Sequence, residues 1–278
     1  MSSTGHPIDT QGGDDRRPRR VRHELRFRLL EVLKAEKLTP HMIRVTLGGD
    51  ELEGFHSPGF DDHVKLFFPA PGELAPPRPS LGERGVVFPE DQPRPPMRDF
   101  TPRRHDPVAG TLQIDFAVHE NGLASDWARQ AAPGQILGVG GPRGSFIVPT
   151  NFDWHLLIGD ETALPAISRR LEELPAGARA IVLAEVESGA DELALKTAAH
   201  ADVHWVHRGT GEQPGHKLIA ALKTLSLPAG DFHAWIACES ASAKLLRQML
   251  IADHGANPEW IRASGYWQRG AMGVHDSF

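Results

Sequence analysis

Trp154-His155-Leu156-Leu157-Ile158-Gly159-Asp160-Glu161-Thr162-Ala163-Leu164-Pro165 is the stretch that decides the fold. A short apolar run, a glycine and then helix-opening residues spell a strand, a tight turn and the first turn of a helix. The helix extends over residues 163–174 and stops at Pro175 and Gly177. The same rhythm continues downstream. Strand-like 179–186 precedes helical 191–199, strand 203–207 precedes helix 217–225, and strand 232–238 precedes helix 240–254. Strands alternating with helices imply a parallel sheet covered on both faces. Ligands of such sheets bind at the carboxyl ends of strands, so residues 159–165 and Ala237-Cys238-Glu239-Ser240 share one rim.

Ahead of this region the punctuation is different. Residues 25–35 and 42–47 alternate or are rich in β-formers, with Thr39-Pro40 as the turn between them. Further strands are expected at 63–68, 97–104, 112–119 and 135–140, with a short extended piece at 144–148. Leu112, Ile114, Phe116 and Val118 fall on one face of theirs. Prolines and glycines crowd residues 71–96 and forbid long regular structure there. One helical turn or two is expected after Asn121-Gly122, where free N–H groups would suit a phosphate. The fold expected is an N-terminal antiparallel six-stranded β-barrel, residues 21–150, followed by a parallel-sheet α/β nucleotide-binding domain, residues 151–278.

Composition bounds the function. A chain of 278 residues most naturally holds two domains. A net charge of −6 argues against nucleic-acid binding, which calls for a basic excess. A single cysteine, Cys238, excludes an intrachain disulfide framework and any cysteine-rich zinc or iron–sulfur site, as in a reducing cytoplasm. No run reaches the length needed to cross a bilayer, so no membrane partner is expected. The basic run Arg16-Arg17-Pro18-Arg19-Arg20 lacks the apolar region of an export signal. Residues 1–20 therefore read as a disordered tail.

The second informative stretch is Arg98-Asp99-Phe100-Thr101-Pro102-Arg103. On a regular strand Arg98 and Phe100 share a face and Thr101 opposes them, unless Pro102 imposes a strand end or bulge. An arginine pairs with pyrophosphate, an aromatic ring stacks on a flavin, and a hydroxyl bonds a ring nitrogen. Four residues alone fit an ordinary half-buried strand with solvated arginines better. In company with Gly59-Phe60-Asp61-Asp62-His63-Val64-Lys65-Leu66-Phe67-Phe68-Pro69, Gly141-Pro142-Arg143-Gly144-Ser145, the turn at 159–165 and Tyr266-Trp267, the chain resembles the siderophore-interacting proteins. These are FAD-dependent ferric-siderophore reductases of the ferredoxin-reductase-like superfamily, and the likeness runs over about residues 20–270 toward the NADPH-dependent ferric-chelate reductases.

That resemblance implies FAD held by Arg98, Phe100 and Thr101, with phenylalanine at 100 where the family more often has tyrosine. It implies His119, Ala124, Ser125 and Trp127 around the flavin, and Asp160 and Thr162 in the nucleotide turn. It also implies a cationic patch of Lys65, Arg143 and Arg262 for an anionic ferric siderophore or other ferric chelate. No residue is assigned a catalytic role of its own, and none a metal. Asp160 and Glu161 would repel phosphates unless they point away or cap the helix. The donor, NADPH or NADH, stays open: Arg208 would meet a 2′-phosphate, Glu185 and Glu187 a ribose hydroxyl.

His200, His204 and His207 would align on a helix, but their segment reads as strand and points the last two apart. No Gly-x-Ser-x-Gly elbow is present. The expectation is a cytoplasmic, monomeric reductase passing electrons from NAD(P)H through FAD to chelated ferric iron. The rivals are a general flavin or quinone reductase, a non-catalytic siderophore-binding or flavin-storage module, and a variant fed by ferredoxin.

Overall fold

In a computed structural model of the chain, residues 16–82, 85–91, 93–120, 122–270 and 276–278 are described. Residues 1–15 of the expected tail, and Asn121, lie outside them. The front half contains strands β1 (Arg19–Arg22), β2 (Phe27–Thr39), β3 (Met42–Gly48), β4 (Val64–Phe67), β5 (Ser80–Gly82) and β6 (Gly85–Val87). After these come β7 (Met97–Phe100), β8 (Pro102–Asp106), β9 (Thr111–Ala117), helix α1 (Leu123–Arg129), β10 (Ile136–Gly140) and β11 (Gly144–Ile147). The back half holds β12 (Trp154–Gly159), α2 (Leu164–Glu173), β13 (Arg179–Val186), β14 (His200–His207) and α3 (His216–Thr224). It closes with β15 (Phe232–Glu239), α4 (Ser240–Ala252), β16 (Ile261–Trp267) and β17 (Asp276–Ser277).

Seven strands of the front half form one curled antiparallel sheet in the order β7-β4-β10-β2-β3-β9-β8. Period-two alternation sends Leu30 and Val32 of β2 and Leu112, Ile114 and Phe116 of β9 inward. Each such buried side chain contributes roughly 1.5–3 kcal/mol over exposure. The seventh strand arises because the expected 97–104 segment is not one strand. Thr101 breaks it into β7 and β8, which sit at opposite edges of the curled sheet. A register shift between Pro102 and Arg104 follows directly, since proline lacks the N–H a regular ladder needs.

The back sheet runs β14-β13-β12-β15-β16-β17, parallel throughout except for the short antiparallel β17. Leu156, Ile158, Leu183 and Ile236 face α3 and α4, through Leu218, Leu222, Leu246 and Leu250. Leu157, Val182 and Trp235 face the opposite way onto Ile167 and Leu171 of α2. Gly159 is required where β12 enters its turn: a Cβ there would lie 2.3 Å from the Ala163 Cβ and 2.6 Å from the Ala237 carbonyl oxygen. The helix expected over 191–199 does not form. Only a 3₁₀ turn, Gly189–Asp191, is present, and Leu193 and Leu195 pack on the α2-side core at a spacing of two, which is extended geometry. Asp191 is drawn away instead, its carboxylate bonding His41 Nδ1 at 3.0 Å and the Ser188 hydroxyl at 3.0 Å.

The two halves share the core on the α2 side, where Met42, Phe60, Val148 and Phe152 join Ile167 and Trp235. Arg170 crosses that seam buried, donating to the carbonyls of Val148 at 3.1 Å and Pro149 at 2.7 Å, with its guanidinium 5.2 Å from the Phe60 ring. Burial lowers its pKa to about 10, so it stays charged at neutrality. Arg103 of β8 pairs with Glu172 of α2 at 2.5 and 3.0 Å. The part of the expected tail that is described, Arg16 to Arg20, is held. Arg16 bridges Asp153 and Asp231 at 3.0 and 2.6 Å, and β1 pairs antiparallel with β11.

His155 and His233 lie under this seam against Phe152, at ring distances of 5.8 and 5.6 Å. Burial first, then the charge of Arg170, pushes His155 down to about 3, and the same causes hold His233 well below its ordinary value. The unfolded chain therefore binds protons that the folded one refuses. His155 adds stability that is complete above about pH 6.5 and is lost as the pH falls toward 3. Urea melts from pH 7 to 4 should show stability falling with pH, and His155→Gln should flatten the slope. An unchanged slope in that variant would rule His155 out as its source.

Candidate functional site

β7 brings its side chains to the edge of the curled sheet. The Arg98 guanidinium is half-buried, with Nη1 donating to the Met97 carbonyl at 2.7 Å. The Phe100 ring packs at 4.5 Å on Phe116, which in turn lies 5.7 Å from the Trp127 ring. Thr101 is buried at the break between β7 and β8, beside the Tyr266 phenol of the back sheet. Burial raises the Tyr266 pKa, with the Asp61 charge adding to the effect. The strand end foreseen at Thr101 thus turns it into the seam between the halves.

α1 packs against β9 and β3 of the same sheet. Ser125 is buried and its hydroxyl accepts the His119 N–H at 3.2 Å. Arg129 donates to the His119 carbonyl at 2.7 Å, while the His119 ring lies exposed against Gly122. Ala124 packs on the barrel core, and Trp127 belongs to that core. Trp127 is a packing residue in the wall behind Phe116 and Phe68, and its indole Nε1 has no partner among the described residues.

The three expected cations come from three separate elements: Lys65 from β4, Arg143 from the turn between β10 and β11, and Arg262 from β16. Lys65 stands opposite Asp99 on β7 and bonds its carboxylate at 2.7 Å; on its other side it pairs in register with Gly140. Arg143 follows in the turn after β10, exposed and without an ion-pair partner among the described residues. Arg262 of β16 lies 4.4 Å over the Phe146 ring of β11, and its Nε donates to Asp61. The sequence reading missed that Arg20 of β1 lies on the same Phe146 ring at 5.9 Å. It missed Asp61 too, whose carboxylate also accepts Trp235 Nε1 at 3.1 Å. The adjacent Asp62 pins its own loop, accepting from Gly59 N–H at 3.1 Å and from the hydroxyls of Ser57 at 2.9 Å and Ser145 at 2.6 Å.

The nucleotide turn is closed on itself. Asp160 is buried, and its carboxyl accepts the Thr162 N–H at 3.0 Å, the Thr162 hydroxyl at 2.5 Å and Trp267 Nε1 at 2.8 Å. It folds the turn as aspartates do, binding the backbone two residues on. Thr162 spends its hydroxyl on that same carboxyl. Glu161 instead grips Arg208 with both oxygens, at 2.7 and 3.1 Å. Arg208 also meets Glu185 at 3.1 Å and Glu187 at 3.3 Å. Glu185 is fully buried and receives the Gly215 N–H at 3.0 Å, so it does not face a ribose. His204 and His207 pair separately with Asp202 and Glu192, and no metal-type cluster occurs among the described residues.

Two family models match the chain: the siderophore-interacting FAD-binding domain over residues 31–146 and the siderophore-interacting protein over residues 152–270. The NADPH-dependent ferric-chelate reductase of Escherichia coli (strain K12) is 42% identical over 255 residues, covering 91% of this chain and 97% of that protein. The ferric vibriobactin reductase ViuB of Vibrio cholerae is 34% identical over 247 residues, covering 87% and 90%. The crystal structure of a siderophore utilization protein from T. fusca superposes with a TM-score of 0.83 at 38% identity, covering 92% of this chain and 98% of that one.

Burial, reinforced by Glu161, raises the Asp160 pKa to about 7. Its folded value lies above its unfolded one, so its contribution to stability is complete below about pH 3.9 and is lost as the pH rises through 7. Carbon NMR of the side-chain carboxyl should titrate near neutrality, and Trp267→Phe, which removes a donor, should move the midpoint higher. A midpoint in the ordinary carboxylate range would contradict this environment.

Proposed function

The chain belongs to the siderophore-interacting protein family, and on that premise we propose that it is an FAD-dependent ferric-chelate reductase using NADPH or NADH. The observation that carries the reading is the joint at Asp61, a carboxylate from the loop before β4 that accepts Trp235 Nε1 at 3.1 Å and Arg262 Nε, both from the back sheet. It holds the curled sheet, whose β7 residues suit a flavin, against the sheet whose turn suits a nucleotide. Electron transfer between two bound groups needs that closeness.

The donor set fits FAD. Arg98 has guanidinium nitrogens beyond the one on Met97 and Phe100 offers a half-exposed ring, while Thr101 is buried at the end of the same strand. When bound there, FAD would supply the chemistry, taking a hydride from the nicotinamide and returning its electrons singly to iron. The chain's own part is placement and field. Arg98 neutralises pyrophosphate, and Phe100, backed by Phe116, sets a plane for stacking. Gly159 lets the backbone of the nucleotide turn come close, and Asp160 holds that turn closed with Thr162 and Trp267.

Lys65, Arg143 and Arg262 draw the anionic ferric siderophore to the corner beside β7. The chain's overall net charge of −6 makes such a local positive patch more selective. Reduced iron is a softer cation and binds hard oxygen donors less tightly, so reduction releases it. The protein needs no ligands of its own for that step. On this proposal it acts in the cytoplasm as a monomer.

The test begins with colour. The purified chain should show an oxidised flavin spectrum, bleach with NADPH or NADH, and pass those electrons to a ferric catecholate, with the ferrous iron formed collected by a ferrous trap. Arg143→Glu should lower kcat/KM for the anionic chelate about tenfold while leaving the bleaching rate unchanged. A protein that stays colourless in excess FAD ends the proposal. Equal losses on a neutral quinone and on the chelate would instead favour a general quinone reductase.

A further inference from the structure

Arg208 ends β14 beside the nucleotide turn, one strand beyond the β13 terminus where dinucleotide sheets place the ribose of adenosine. A guanidinium there is the usual partner of a 2′-phosphate. Here it is not open to one. Only 8% of Arg208 is exposed, and three carboxylates surround it. Glu161 takes two of its N–H directions in a bidentate pair at 2.7 and 3.1 Å, from inside the turn itself. Glu185 lies beneath, fully buried, and is held by the Gly215 N–H. Glu187 closes the third side at 3.3 Å. The nearest further cation, Lys217, is spent on the carbonyls of His207 and Arg208, at 3.1 and 2.7 Å.

We propose that Glu161 sets the coenzyme preference of this chain, by competing with the 2′-phosphate of NADP(H) for the guanidinium of Arg208. The inference rests on the nucleotide site proposed above. Three carboxylates around one guanidinium leave the cluster negative, so an approaching phosphate is repelled until Glu161 lets go. NAD(H), which carries only a hydroxyl at that position, meets no such exchange and can bond the partly exposed Glu187. Glu185 has no part in the exchange, because leaving Arg208 would strand a buried carboxylate. The two partly exposed acids, Glu161 and Glu187, are the ones able to swing into water, and Glu161 has the stronger grip.

The experiment titrates NAD⁺ and NADP⁺ into the FAD-loaded full chain by calorimetry, so that no turnover enters the readout. Glu161→Gln should tighten NADP⁺ about tenfold, the effect of releasing one charged hydrogen-bond pair, and change NAD⁺ by less than about twofold. Glu187→Gln should act in the same direction and more weakly. Arg208 keeps two carboxylate partners in either variant, so the fold is not put at risk. NADP⁺ affinity unchanged in Glu161→Gln, or both nucleotides shifting alike, would overturn the competition. If neither nucleotide binds and neither NADH nor NADPH bleaches the flavin, it is the underlying site that fails, and the proposal falls with it.

Discussion

One buried carboxylate ties the two halves of this molecule together. Asp61 comes from a loop of the curled sheet, yet both groups that donate to it, Trp235 and Arg262, belong to the α/β sheet. A charge 6% exposed survives only with such partners, and removing it would leave the half-buried Arg262 uncompensated. Its neighbour Asp62 keeps the loop in shape from within, on Ser57, Gly59 and Ser145. Two consecutive acids therefore do different work, one across the seam and one inside the loop.

The rest of the site leans on that joint. Arg262, fixed by Asp61, lies flat on Phe146 and so becomes part of a corner built by β10, β11 and β1. Trp235, fixed by the same carboxylate, packs at 6.1 Å against Tyr266, which lies beside Thr101. A short series of contacts thus leads from the flavin-type strand to the cationic corner without leaving the seam. Arg170 and the pair Arg103–Glu172 brace the same boundary from the α2 side. The seam is polar at its working edge and apolar behind it.

Legibility followed the range of the forces involved. The strand-and-helix rhythm after residue 152 is local, and β12, α2, β13, α3, β15 and α4 appear where periodicity put them. The 191–199 segment misled because its composition favours a helix while its two leucines, Leu193 and Leu195, are spaced for an extended chain on a core that only tertiary packing creates. The basic run near the N-terminus misled for a related reason. Arg16 is solvated in isolation, and becomes structural only because Asp153 and Asp231, far along the chain, converge on it.

The candidate site divides in the same way. Arg98, Phe100 and Thr101 form a candidate set in the sequence because they lie within four residues, and the Gly159 turn was legible because strand, glycine and helix start are consecutive. The sequence by itself determined the two-domain plan and the chemical kinds available at each rim, since both depend on neighbours a few residues apart. Only the tertiary structure decided which groups are spent. It set Asp160 and Thr162 on each other, enclosed Arg208 among Glu161, Glu185 and Glu187, and put Arg20 and Arg262 on one phenylalanine ring. Charge and hydrogen bonding act over a few ångströms of space, whatever the distance along the chain, so a residue's type is read in order but its freedom to act only in three dimensions.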